Sequence, residues 1–230
     1  WPTWGAPDVN LSWGFRALVH PFWEFGGVTG LFVWRWLTTL GAFGFAWAGA
    51  RRMGATGLGV PIAIVVCGLA WSSRSQERPE TWVAVLMAAE LWILETRRNG
   101  GPDRLWALPL LFWTWFNSHI SWHFGILILA AYGLDALLAP ARWGSQRRLP
   151  LVSTLAVAGI AGLAFGLLNP FGWRALWQPF YFFLHERSEP IYTTIGELEP
   201  LRLVEHVWDG VPLIVIAWPV LAILRARREG

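Results

Sequence analysis

The chain has 230 residues with 18 Arg, no Lys, 15 Asp+Glu and 5 His, which leaves a net charge of +3. Hydrophobic residues make up 55% and charged residues 14%, and mean hydropathy is +0.41; a soluble domain usually carries about 25% charged residues. So little charge argues against a soluble enzyme, a disordered tail and a nucleic-acid-binding domain, and predicts an all-α integral membrane protein.

A crossing helix needs about 20 mostly apolar residues. Residues 26–49 qualify despite Arg35, and Arg51-Arg52 follow. Residues 57–72 give a short second segment with Pro61 inside; Cys67, the one cysteine, is read there as a small core residue. Residues 81–96 give a third, with Glu90 inside it, before the turn Gly100-Gly101-Pro102-Asp103. The apolar stretch Leu105 to Ala139 would make a helix of roughly 52 Å, too long for one straight crossing. It is expected to break near Asn117-Ser118-His119, giving segments at 105–117 and 121–139. Residues 150–168 form the next segment and end at Asn169-Pro170-Phe171-Gly172. Residues 173–185 read as an interfacial amphipathic helix, 186–210 as a polar loop, and 211–225 as a last span closed by Arg225, Arg227 and Arg228.

With the N-terminus outside, about seven transmembrane or partly spanning helices leave 11 of the 18 arginines in cytoplasmic loops and put the C-terminus in the cytoplasm. The chain is then one polytopic membrane domain. Residues 1–25 are an outer interfacial segment, 26–168 a helical bundle, 169–210 an outer loop with an amphipathic helix, and 211–230 a last span with a basic tail. The expected location is the bacterial cytoplasmic (inner) membrane or its invaginations. The expected partners are membrane lipids and other membrane subunits of a larger complex, with no nucleic acid. The 19 Trp and 14 Phe suit aromatic belts and helix packing.

In this layout the polar residues gather on the outer face, where Arg, His, Asn and Glu suit an anionic lipid headgroup or lipid phosphate. The candidates are Arg74, Arg78, Asn117, His119, Asn169, Arg174 and Glu197. Arg35 and Glu90 are intramembrane polar residues that must face protein or water, and an Arg35–Glu90 ion pair is one way to satisfy both. Asp135 is expected near the wet cytoplasmic edge. His119 and His123 stand four apart and would share one face of a continuous helix. Either could be an axial ligand to haem or a chlorin, although a structural histidine is the commoner use. No metal site is expected, and no cofactor is required; haem or chlorophyll contact belongs to the accessory-subunit reading.

Several segments together resemble bacterial polytopic membrane proteins grouped with the GT-C-type glycosyltransferases, which use lipid-linked sugars. They are Gly26-Gly27-x-x-Gly30-Leu31, Arg78-Pro79, Glu95 with Arg97-Arg98, and Leu105-Trp106 with Leu108-Pro109. Trp115, Asn117-x-His119 and Gly125 follow, then Leu168-Asn169-Pro170-Phe171-Gly172-Trp173 and Ile195-Gly196-Glu197-Leu198-x-Pro200. The resemblance covers most of the chain. It implies an active face outside the cytoplasm and an acidic catalytic residue in an outer loop after a first helix. The chain departs from the family there: Ala6-Pro7-Asp8 is a poor match to the Asp-Pro-Asp signature of that loop, so by the resemblance the N-terminal catalytic part is expected to be missing. By resemblance, Arg74, Arg78, Asn117, His119, Asn169 and Glu197 contact a lipid phosphate or sugar. Two functions follow as expectations: a transferase using lipid-linked sugars, or a non-catalytic accessory subunit of a large photosynthetic or respiratory membrane complex.

Overall fold

The structure is a computed structural model that describes residues 10–72, 76–143, 148–190, 204, 207–208 and 210–229. Among the described residues the regular structure is helical. The helices are α1 (Trp13–Arg52), α2 (Gly59–Ser72), α3 (Pro79–Arg98), α4 (Leu108–Phe116), α5 (Trp122–Leu138), α6 (Arg148–Gly166), α7 (Trp173–Tyr181) and α8 (Val211–Glu229). Short 3₁₀ turns at Leu105–Ala107 and Pro140–Trp143 lead into α4 and follow α5, and a π turn at Phe182–Glu186 extends α7.

The helical content agrees with the sequence reading, but the membrane architecture does not. Among the described residues no helix is long and apolar enough to cross a membrane. The reading of seven spanning helices, with an outside N-terminus and a cytoplasmic C-terminus, is therefore corrected. Several physical reasons are visible. At 1.5 Å per residue, α2 (14 residues), α4 (9) and α5 (17) all fall short of a hydrocarbon core about 30 Å thick. Helix α3 has 20 residues but carries Glu80, Glu90, Glu95, Arg97 and Arg98.

Helix α1 is long but sharply bent. Gly27 sits at φ 52°, ψ −134°, a conformation open to glycine, and folds residues 13–26 back on residues 28–52. The rings of Phe15 and Phe22 lie 6.0 and 5.2 Å from that of Trp34. In a straight helix Phe15 and Trp34 would be about 28 Å apart. A Cβ on Gly30 would stand 1.7 Å from the Phe22 carbonyl oxygen, so the fold-back also needs glycine at its contact. The segment expected to begin at residue 26 is thus one limb of a helical hairpin.

The core lies among α3, α4, α5 and α6, where Leu94, Leu108, Phe112, Trp115, Phe116 and Leu155 are buried. Trp143, just after α5, closes one end. Glycines on α6 let the helices approach. Cβ atoms on Gly162 and Gly166 would meet Phe112 and Phe116 of α4, both at 2.7 Å. These pairs are spaced i, i+4 on both helices, so two aromatic knobs seat in two glycine notches on facing stripes.

A polar clasp holds the end of the bundle at which α3 and α5 finish. Glu95 is buried and accepts hydrogen bonds from Tyr132 Oη (2.6 Å), Arg98 Nη1 (3.2 Å) and Asn99 Nδ2 (2.9 Å). Arg98 Nε reaches Asp135 Oδ2 at 3.1 Å, and Trp143 Nε1 donates to the same oxygen at 3.0 Å. Asp135 is thus a bonded member of this clasp. Burial and the Glu95 hydrogen bond push the Tyr132 hydroxyl above its ordinary pKa. Cys67 is exposed, not buried as expected.

Candidate functional site

The opposite end of the bundle gathers the polar residues singled out in the sequence. The long apolar stretch breaks at the expected place: α4 ends at Phe116 and α5 starts at Trp122. Asn117 and Ser118 turn back on the last turn of α4, with Asn117 Nδ2 donating to the Trp113 carbonyl (2.8 Å) and Ser118 Oγ to that of Thr114 (2.7 Å).

Asn117 is buried and also ties α1 to this turn. Its Oδ1 accepts from Trp13 Nε1 at 2.9 Å, and its carbonyl accepts from the Gly14 N–H at 2.7 Å. A Cβ on Gly14 would lie 2.5 Å from that carbonyl oxygen, so the approach needs glycine. Both ends of the Asn117 amide are spent inside the protein.

His119 follows and meets the first turn of α3. Its Nε2 lies 3.5 Å from Glu80 Oε1. The hydrogen bond to His119 is the largest influence on the Glu80 carboxyl and holds it below its ordinary pKa, with the charge of Arg78 a smaller aid. The other ring nitrogen, Nδ1, is 2.7 Å from Ser121 Oγ and accepts the Ser121 backbone N–H at 3.1 Å. Trp115 Nε1 donates to Ser121 Oγ at 3.2 Å. Glu80 is about half exposed, at 55%, and the His119 side chain 19% exposed. The cluster therefore opens to the surroundings from a well-packed floor.

His119 and His123 do not share a continuous helix. His119 precedes α5, while His123 lies in its first turn and donates from Nδ1 to the Ile120 carbonyl at 3.1 Å. Among the described residues no group of three His, Cys, Asp or Glu side chains could hold a metal ion.

The turn after α6 is at the same end, because Trp113 Nε1 donates to the Leu168 carbonyl at 3.3 Å. Asn169 is occupied locally. Its Oδ1 accepts from the Phe171 N–H at 2.7 Å, and its Nδ2 bonds the carbonyls of Gly166 and Gly172. Arg174 is exposed in the first turn of α7. Arg74, Glu197 and Asp8 lie outside the described residues. The structure thus brings His119 to Glu80, two residues after Arg78, makes Asn117 a packing residue between α1 and the turn after α4, and puts Asn169 in a turn at the same end.

The Arg35–Glu90 pair is not formed. Glu90 is fully buried, neither oxygen has a hydrogen-bond partner, and burial alone pushes its carboxyl up to about 9. A Cβ on Gly125 would lie 2.8 Å from both Phe112 and Trp115 and 3.1 Å from Glu90 Oε2, which places the carboxyl in the aromatic core.

Sequence reasoning missed Glu80 and Ser121. Glu80 carried a usable signal, since an acid in the first turn after Arg-Pro is favoured by the helix dipole. Ser121 carried only its closeness to His119.

No protein-family model, no curated protein and no solved structure matches this chain. The resemblance to the GT-C-type transferases therefore rests on the short motifs alone.

Proposed function

We propose that the chain is a transferase-type protein that takes an isoprenoid-phosphate-linked sugar at the Glu80–His119 end of the bundle. The observation that supports this reading is the meeting of Glu80 and His119 at 3.5 Å, beside Arg78. A carboxylate held in its ionised form can accept a proton from an acceptor hydroxyl, and imidazole and guanidinium groups can hold a phosphate. The two halves of the cluster come from the Arg78-Pro79 and Asn117-x-His119 motifs, which stand about 40 residues apart in the chain.

The test is native mass spectrometry and donor turnover with a polyprenyl-phosphate sugar. The wild-type protein retains the lipid phosphate and releases sugar. Arg78→Ala weakens retention about tenfold, a typical worth for one charged phosphate contact. Glu80→Gln retains the lipid but loses turnover by 10²-fold or more, a usual figure for a general base. A wild-type protein that neither holds nor turns over the donor sinks the reading.

A second reading, a non-catalytic accessory subunit of a larger photosynthetic or respiratory assembly, is favoured by the outward apolar side chains. Phe25, Trp36 and Leu40 on α1, Leu58 and Ile62 at α2, and Trp218 on α8 are all exposed. Patches of this kind mark surfaces that other molecules cover. Recovery in a large particle that absorbs as haem or chlorophyll, with no donor turnover, would select it.

A further inference from the structure

Ser121 is the N-cap residue of α5, yet its side chain makes no capping bond. A serine there usually accepts a hydrogen bond from the helix's own N–H groups. Here the hydroxyl is turned to His119 Nδ1 at 2.7 Å instead. The backbone of the same turn fixes the tautomer. Nδ1 accepts the Ser121 N–H at 3.1 Å, and a ring nitrogen that accepts an N–H carries a lone pair, not a hydrogen. The ring hydrogen then sits on Nε2, which faces Glu80 Oε1 at 3.5 Å. The Ser121 O–H consequently donates to a neutral imidazole whose far side is held by a carboxylate. Trp115 Nε1 donates to Ser121 Oγ at 3.2 Å, which holds the oxygen in place beside the imidazole.

We propose that Ser121 is a nucleophile toward carboxylic esters, with His119 as its base and Glu80 as the group that orients and charges the imidazole. This does not depend on the sugar-transfer reading. The roles are those of a serine–histidine–acid triad, recognised by geometry and not by order along the chain, with the two ring nitrogens exchanged relative to the common arrangement. In the first step Ser121 Oγ bonds the ester carbonyl carbon and its proton passes to His119 Nδ1. The alkoxide then leaves and takes that proton, so the products are acyl-Ser121 and an alcohol. In the second step water attacks the acyl carbon and gives a proton to Nδ1. That proton returns to Ser121 Oγ as it departs, and a carboxylic acid is released.

The test uses a fluorophosphonate probe. Ser121 Oγ attacks phosphorus, fluoride leaves, and the adduct is read by intact mass and peptide mapping. The wild-type protein is expected to be labelled at Ser121, and Ser121→Ala is expected to stay unlabelled. His119→Ala slows labelling by about 10²-fold or more, the usual worth of a positioned base. Glu80→Gln, at an exposed position where folding is little disturbed, slows it less and shifts the pH profile of labelling. Circular dichroism confirms the fold of each variant, and Glu80→Gln keeps the test decisive if His119→Ala unfolds. Absence of labelling in folded wild type, labelling at another residue, or rates unchanged in both His119→Ala and Glu80→Gln would overturn the proposal. Failure of donor turnover with Ser121 labelled would leave this inference standing and remove only the sugar-transfer reading.

Discussion

Glu90 shows how one residue type can mean different things in one chain. Glu80 is half exposed and kept ionised by His119, Glu95 is buried with three donors, and Glu90 is buried with none. The sequence sets Glu90 apart as lying inside an apolar segment but gives the partners of none of the three, because these depend on what α4 and α5 bring alongside. For Glu90 the folded pKa of about 9 stands above the ordinary 4.5, so the folded state holds the proton that the unfolded chain releases. Its stabilising contribution is complete below pH 4.5, falls as pH rises towards 9, and is flat beyond. The expected slope in that window approaches about 1.4 kcal/mol per pH unit. Glu90→Gln carries no titrating proton, so denaturant unfolding of this variant should lose the slope between pH 5 and 9 and show greater stability than wild type at the upper end. Parallel stability curves for the two proteins would rule this account out.

At the scale of elements, the pairing of α4 with α6 depends on size. Phe112 and Phe116 press into the space left by Gly162 and Gly166. The positions were legible as apolar, but which face of α6 meets α4 was not, because α6 is apolar around most of its circumference and a helix of that kind has no preferred side. The glycine spacing, four apart, is the signal that a closer reading could have used. Gly162→Leu forces the Phe112 ring out of its seat and should cost about 1–3 kcal/mol, as overpacking of a close contact usually does. A loss of several degrees in melting temperature is the expected readout, whereas Gly133→Leu, with open space around its Cβ position, should be near neutral. A similar fall for both would show that the notch is not what seats the aromatic ring.

At the scale of the whole molecule, a dense centre is surrounded by helices that keep large apolar side chains outward. The exposed set includes Trp23, Phe32, Trp106, Leu127, Ile160 and Leu213, spread over four helices and the turn before α4. A groove of about 430 Å³ lined by Trp106, Leu110, Trp113, Phe165 and Leu168, and one of about 480 Å³ between α5 and α6, add to that surface. Apolar area on this scale favours association. Light scattering in plain buffer should therefore report large, polydisperse particles, and an amphiphile added above its micelle concentration should return a single small species. A monodisperse monomer without amphiphile would contradict this.

Composition and hydrophobic pattern by themselves determined that the chain is helical and where most helices lie, because long apolar stretches punctuated by Gly, Pro and Asn have few other ways to satisfy their backbone. They also located the break at Asn117-Ser118-His119, where a run of polar side chains could bond the carbonyls of the preceding turn. Tertiary structure alone decided the remainder. Apolar content counts residues without saying how long each straight helix is, so the expected spans gave way to a hairpin at Gly27 and to short or charge-bearing helices. The partners of Glu95 and His119 were likewise out of reach of spacing, since side chains 37 or 39 residues apart meet only once the helices have packed. Burial and hydrogen bonding, which set the charge and the chemistry of a polar group, belong to that packed state and not to the residue type.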